Sequence, residues 1–482
     1  MAGGAAAPSN AVLGSSLSRS RFIVCFGLVS SLFFLWGLSY GLLDSLNKKF
    51  QDLFGITKAE STGLQGMYFG AYFVFSIPAS FIIRKFGYKT GVIFGLCLFG
   101  IGALCFWPCA VKETYPGFLI CTFVTACGLA TLEVSANTYV SVLAGMDHAS
   151  LALTFAQGFN GISAFAGPLI ASRWFFTGAH NDSFTSVQYV YLAVGLFGFC
   201  LAMLFFGVRF PDVRQDISPE QEAYVKERGY WDLFRRPRLM FGFAAETLYV
   251  GAQVAVASLA INYFNETTNV STAQAANLFS YCQMAFMAGR FISVPILHYS
   301  HPPLVLGVYG ALCALFAILV SQISGTAGAA MLFLVFFFES ICYPVIFAES
   351  TMGLGPYASA GGCVFIIIII IIIIIISNEA QLTAFAAMGV AGGAWYPSVQ
   401  ATLADDKTTQ LSYIVAMAGY VAVSAYGFGL WWGSCRANGF HWRVLAAVED
   451  QTLRPTEVQR AASVKSADLE KADERQTEHV LA

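Results

Sequence analysis

Charge is what this sequence has least of. Asp, Glu, Lys and Arg together fill 11% of 482 positions, against about 25% in an ordinary soluble domain. A chain so poor in charge cannot dress a compact core in a water-facing surface. The 26 basic residues nearly cancel the 28 acidic ones, and no basic patch of the kind that grips phosphates appears, so no nucleic-acid partner is expected. The twelve cysteines are scattered without a CxxC pair or histidines at ligand spacing, which argues against a metal site and leaves them as small apolar side chains. No nucleophile–base arrangement and no nucleotide-binding motif is present, so neither an enzyme nor a cofactor is expected. The first twenty residues are rich in Ala, Gly and Ser and hold no cleavable signal pattern, so the first apolar stretch is expected to insert directly.

What is present is apolar. Hydrophobic residues make up 57% of the chain and the mean hydropathy is +0.65. Long apolar runs recur, each near the roughly 20 residues that cross a hydrocarbon layer. The 44 Phe and 45 Gly suit helices packed in lipid. These features predict an all-α polytopic membrane protein with the lipid bilayer as its solvent.

Hydropathy places six spans near 21–45, 61–83, 90–110, 117–143, 150–176 and 187–208. Six more follow near 239–264, 273–296, 303–323, 327–348, 382–402 and 411–433. Residues 1–20 read as a tail, 209–238 as a long polar interruption, and 434–482 as a second tail that is partly disordered. The short loop RKFGYK brings Arg84, Lys85 and Lys89 together around Gly87, and positive charge in a short loop marks the cytoplasmic side. Both termini and the central loop then fall in the cytoplasm. The Asn-x-Ser/Thr triplets at Asn181, Asn265 and Asn269 all fall in loops on the outer side, a modest independent check. A run of isoleucine from Ile366 to Ile376 inside 359–381 does not fit, because helix interfaces in lipid need small and varied side chains. It reads as a simple-sequence insertion; as a true span it would make thirteen and move the C-terminus outside.

Two carboxylates lie inside apolar spans, Asp44 in FFLWGLSYGLLDSLN and Glu133 in GLATLEVSANTYV. Each costs about 2.5–3.5 kcal/mol on insertion scales, so such groups face a bundle interior or a watery cavity. Asn137 falls one turn after Glu133, and Tyr40, Asp44 and Asn47 form a polar stripe. Titratable groups in a many-span bundle point to proton-coupled transport; the plainer alternative is that each only bonds a neighbouring helix. The 6 + 6 arrangement suggests two related halves. It is echoed by Glu133 before Asn137-Thr138 and, at a constant offset, Glu339 before Tyr343-Pro344.

Several stretches resemble one family in order and spacing. FFLWGLSYGLLDSLNKKF, LQGMYFGAYFVFSIPASFIIRKFGYKTG, GLATLEVSANTYVSVL and FAQGFNGISAFAGP, then LYVGAQ, MAGRF and SICYPVIF, resemble helices of the L-fucose:proton symporter family of the major facilitator superfamily, its fungal relatives in particular. The resemblance runs from about Arg21 to about Trp432, interrupted by the isoleucine segment. It implies the major facilitator fold, with twelve helices in two six-helix bundles at 21–208 and 239–433. It also implies an alternating-access carrier, with a monosaccharide and protons as its partners. Asp44 and Glu133 stand at the family's functional carboxylate positions, Gln157 and Asn160 match polar positions of the fifth helix, and Gln253 matches the Gln of the seventh. Tyr40 and Gly41 stand where bacterial members carry Asn, and Ala257 where one carries an aromatic, so the sugar is open among L-fucose and related hexoses or pentoses.

Sugar recognition needs convergent hydrogen-bonding groups in a largely apolar cavity. Gln157, Asn160, Gln253, Asn137, Tyr40 and Asn277 are the candidates, with Trp36, Tyr68, Tyr72 and Trp395 as stacking surfaces. Their plainer role is bonding and packing between helices, worth about 0.6 kcal/mol per hydrogen bond. Glu246 and Glu339 are further embedded carboxylates, for which satisfied structural groups are the competing reading. Arg84, Lys85, Gly87 and Lys89 form a candidate cytoplasmic gate loop, although setting topology would suffice to explain them. The expected protein is a proton-coupled monosaccharide importer, monomeric and in the plasma membrane; an uncoupled facilitator and a transporter-like nutrient sensor are the alternatives.

Overall fold

The computed structural model describes residues 19–144, 149–177, 183–208, 237–351 and 392–438. Among these residues every regular element is a helix. The first set comprises α1 (Arg19–Phe54), α2 (Lys58–Ser61), α3 (Gly63–Phe86), α4 (Tyr88–Val111), α5 (Tyr115–Ala144), α6 (Ala149–Trp174) and α7 (Thr185–Gly207). The second comprises α8 (Pro237–Ser258), α9 (Ala260–Thr268), α10 (Thr272–Tyr299), α11 (Pro302–Gln322), α12 (Gly325–Glu339), α13 (Cys342–Thr351), α14 (Gly392–Asp406), α15 (Thr409–Ser412) and α16 (Ile414–Asn438). Eight stretches among the described residues are long and apolar enough to cross a membrane. The isoleucine run, most of the central polar segment, Asn181 and the C-terminal tail lie outside the described residues.

Within the first set α1 packs on α6, α5 on α3 and α4, and α7 on α4; within the second α8 packs on α14 and α16, and α11 on α16 and α12. The sets meet along two long seams, α6 against α10 and α3 against α14. Small residues make the crossings close. A Cβ on Gly41 would stand 2.7 Å from the Ala164 carbonyl oxygen, and one on Gly167 would stand 2.7 Å from the Gly41 backbone. Only glycine lets α1 and α6 approach so nearly, the usual device of helices that pack in lipid. Met203, Phe206, Phe241 and Ile120 are among the large apolar side chains left on the outside, as hydrocarbon solvation allows.

Three helices depart from the hydropathy reading. α1 continues to Phe54 rather than stopping near residue 45, and ends at Gly55 with φ of +64°. Its polar second half stays helical because neighbours satisfy it: Lys49 is buried and its Nζ donates to the Phe175 carbonyl at 2.7 Å. The expected seventh span is divided at Leu259 into α8 and α9. The tenth is divided between Glu339 and Cys342, and sequence gives part of the reason. Pro344 has no N–H, so the Ser340 carbonyl four residues earlier loses its helical donor.

One end of the molecule is stitched across the two sets. The Asp405 carboxylate accepts from the backbone N–H groups of Lys58 (3.1 Å) and Ala59 (2.8 Å) at the start of α2. Lys58 Nζ donates to Thr409 Oγ1 at 2.6 Å and pairs with Glu266 at 2.8 Å. Asn262 Nδ2 donates to Gln51 Oε1 at 2.6 Å, and Asn47 Nδ2 to the Ser258 carbonyl at 3.4 Å. α2 is set for this role by a reciprocal cap in which Thr57 and Glu60 each satisfy the other's backbone N–H.

Candidate functional site

A cavity of about 90 Å³ lies between the two sets of helices, room for several water molecules. From the first set Trp36, Tyr40, Tyr68, Tyr72, Glu133, Gln157 and Asn160 line it. From the second come Gln253, Gln283, Phe286, Arg290, Glu339 and Tyr343, with Ala257 among the apolar remainder. The wall is largely apolar and aromatic with a few convergent polar groups, the make-up of a small-molecule site.

Helical spacing brings these groups together. Gln157 and Asn160 lie three residues apart on α6, hence on one face, and both reach the cavity. α6 is pressed against α1 at Gly37, where a Cβ would stand 2.2 Å from the Asn160 carbonyl oxygen. Tyr68 and Tyr72 stack one turn apart on α3, their ring centroids 5.4 Å apart and 32° from parallel. The Tyr40 hydroxyl is buried without a hydrogen-bond partner among the described residues, while those of Tyr68 and Tyr72 lie beside each other, with Trp36 next to Tyr68. Unpaired buried hydroxyls are costly unless something else takes them.

Glu133 is 6% exposed and one of its carboxylate oxygens has no partner among the described residues. No lysine or arginine there pairs with it. Asp44 is 1% exposed and lies behind the wall rather than on it. Its Oδ1 accepts from Gln65 Nε2 at 3.2 Å, and Oδ2 has no described partner. Tyr40, one turn before Asp44 on α1, does line the wall. The polar stripe read from the sequence therefore divides by depth: Tyr40 faces the cavity, Asp44 sits beneath it, and Asn47 ties α1 to α8.

Glu339 is fully buried and differs in its partners. Tyr420 donates its hydroxyl to Glu339 Oε2 at 2.5 Å, while the Tyr249 hydroxyl donates to the Glu339 backbone carbonyl at 2.7 Å. The Ser340 carbonyl freed by Pro344 accepts from Arg290 Nε at 3.2 Å. The Arg290 guanidinium stacks over Phe286, 4.6 Å from the ring centre, and lies within electrostatic reach of Glu339, Tyr249 and Tyr343.

Several candidates fall elsewhere. Asn277 is not on the cavity wall, and Tyr281, one turn on, points outward at 46% exposed. Trp395 is also turned outward. Glu246 is buried in α8 away from the wall, both carboxylate oxygens lacking partners among the described residues. The side chains of Asn137 and Arg84 lie outside the described residues. In the proposed gate loop Gly87 takes φ of +84° to turn α3 into α4. Lys85 is exposed, and Lys89 Nζ donates to the Phe206 and Val208 carbonyls at 3.0 and 2.9 Å, capping α7 within its own set.

Sequence reasoning passed over Arg290, Gln283 and Gln65. Arg290 was within reach: a charged residue inside an apolar span marks a functional site by default, yet MAGRF served only as a mark of family.

Comparison with known proteins follows the same lines. The family model for the Major Facilitator Superfamily matches residues 22–359. An L-fucose-proton symporter of Escherichia coli (strain K12) is 29% identical over 369 residues, covering 72% of this chain and 84% of that one. A glucose/galactose transporter of Brucella abortus biovar 1 (strain 9-941) is 28% identical over 402 residues, covering 82% and 91%. Among solved structures, the fucose:proton symporter of E. coli aligns with a TM-score of 0.62 at 26% identity, over 85% of this chain and 99% of that one.

Proposed function

The chain belongs to the major facilitator superfamily and, within it, to the L-fucose:proton symporter family, and on that premise we propose that it imports a monosaccharide together with protons by alternating access. The observation that carries this is the cavity between the two sets of helices. It joins Glu133, a buried carboxylate that no lysine or arginine of the described residues pairs with, to amides and aromatic rings suited to a sugar. Gln157, Asn160 and Gln253 offer both donors and acceptors, and the faces of Trp36, Tyr68 and Tyr72 offer flat apolar surface.

The proton enters the mechanism through charge. Protonation makes Glu133 neutral and spares the cost of enclosing a charge when the cavity closes. If sugar binds the protonated carrier better, each promotes the other's binding by the same factor. Asp44, one layer deeper and touching Gln65, supplies the second protonatable group of the same half. If both termini lie in the cytoplasm, the end stitched by Lys58, Asp405 and Glu266 faces outward and serves as the outer gate. L-fucose, or a related hexose or pentose, is the substrate class.

The test records external pH as L-fucose, D-galactose, D-glucose and L-arabinose are added in turn to cells that express the chain. Alkalinisation with one sugar is expected, and it should disappear in Asp44→Asn and Glu133→Gln. Glu133→Gln should also lose about a hundredfold in sugar accumulation while retaining exchange of sugar across the membrane. Uptake of labelled sugar without a pH response would make the chain a facilitator.

A further inference from the structure

Resting on the sugar-carrier reading, we propose that Arg290 is a substrate-binding and specificity-determining residue, its guanidinium donating to hydroxyls of the bound monosaccharide from the wall opposite Glu133. The side chain stands in the middle of α10 and lines the cavity. Full-time charge at that depth is expensive and persists where a partner or a watery site repays it. No carboxylate of the described residues forms an ion pair with it; Glu339 lies near enough to attract it, but Glu339 Oε2 holds the Tyr420 hydroxyl and Oε1 has no partner among the described residues.

Two contacts fix the group instead of neutralising it. Nε is spent on the Ser340 carbonyl, which Pro344 leaves free, and the planar face rests on Phe286. The backbone break between α12 and α13 thus acts as a mount for the guanidinium. Discontinuous helices that point freed backbone groups at a central site are a recurring way to build transporter binding sites. A mount that uses one N–H leaves up to four more on a rigid fork, and no side chain of the described residues takes them. Such a fork suits a pair of oxygens on adjacent ring carbons, where Lys would offer only a point charge. Gln157 and Asn160 across the cavity would hold the remaining hydroxyls.

The alternative is that Arg290 serves the backbone alone, closing the Ser340 carbonyl. The two roles separate in a substrate-by-variant comparison on the full chain in lipid vesicles, read as sugar affinity in equilibrium counterflow. L-fucose, D-galactose and D-glucose are tested first, then monodeoxy analogues of whichever binds. In the wild-type chain one deoxy analogue should bind about tenfold or more weakly than its parent, as loss of a hydrogen bond to a charged group implies. Arg290→Gln should weaken the parent sugar by a similar factor and bind parent and deoxy analogue within about twofold of each other. Arg290→Lys, which keeps the charge, should fall between them and carries the same comparison where Arg290→Gln does not reach the membrane.

Unchanged affinity in both variants, or a full deoxy penalty retained at every ring position, overturns the proposal while leaving the sugar carrier in place. A wild-type chain that binds none of the sugars in either direction removes both.

Discussion

Glu133 sits in an unbroken helix and Glu339 in a broken one, although both face the same cavity. Continuous α5 keeps its carbonyls inside its own ladder, and Glu133 Oε2 has no partner among the described residues. Between α12 and α13 the proline frees a carbonyl, and the freed group draws in Arg290, while Tyr249 takes the carbonyl beside it. One wall therefore carries a carboxylate with no cation paired to it among the described residues, and the other a carboxylate held by Tyr420 with a cation close by. On the proposed reading the difference divides the labour. An uncompensated carboxylate can exchange a proton at the cost of a single charge, whereas a mounted arginine, always protonated, holds a ligand in place.

That comparison can be broken at its cause. Pro344→Ala restores a backbone donor to the Ser340 carbonyl and puts it in competition with Arg290 Nε. About a tenfold rise in the KM for sugar is expected, with the proton response per sugar unchanged; uptake kinetics with parallel pH recording measure both. A changed proton-to-sugar ratio would show that the broken helix takes part in coupling.

The proposed outer gate gives a smaller effect. Asp405→Asn weakens the hold on the Lys58 and Ala59 N–H groups, and exposed charge contacts of this kind are worth about 0.2–1 kcal/mol. The closed-to-open ratio should shift toward outward-open by about two- to fivefold. A reagent applied from outside to a cysteine placed at Val254, on the cavity wall, should react faster by that factor.

Glu246 is the sharpest control and should change least. It is a buried carboxylate without a described partner and away from the cavity wall. If proton traffic belongs to the half that holds Asp44 and Glu133, Glu246→Gln should keep concentrative uptake within about twofold of wild type, because the amide preserves volume and removes only charge. Loss of uptake comparable to that of Glu133→Gln would move a proton site into the second half and dissolve the division of labour.

Much of the candidate site was legible before any coordinates. Gln157, Asn160, Gln253, Tyr40 and Glu133 all reach one cavity, because polar residues inside apolar spans have few other places to go. Asn277 resisted the same reasoning. Its spacing from Tyr281 states that the two share a helix face, but not which way that face turns, and packing turns it away from the cavity. Arg290 resisted for a different cause, since its value depends on a carbonyl fifty residues away in the chain.

The sequence by itself determined the solvent and the class of element. Scarce charge and runs near 20 residues leave helices in lipid as the one economical structure, because every backbone group must be satisfied inside its own segment. Pro344 removes one backbone donor from the tenth span, but Pro78, Pro108, Pro168, Pro295 and Pro397 sit inside continuous helices, so packing decided that this span breaks. Only the tertiary structure decided what the break is for, why Asp44 lies beneath the wall that Tyr40 forms, and which end of the carrier is stitched shut. Those outcomes depend on side chains from helices distant in sequence meeting at one depth, and hydropathy, a sum over neighbours along the chain, contains no information about such meetings.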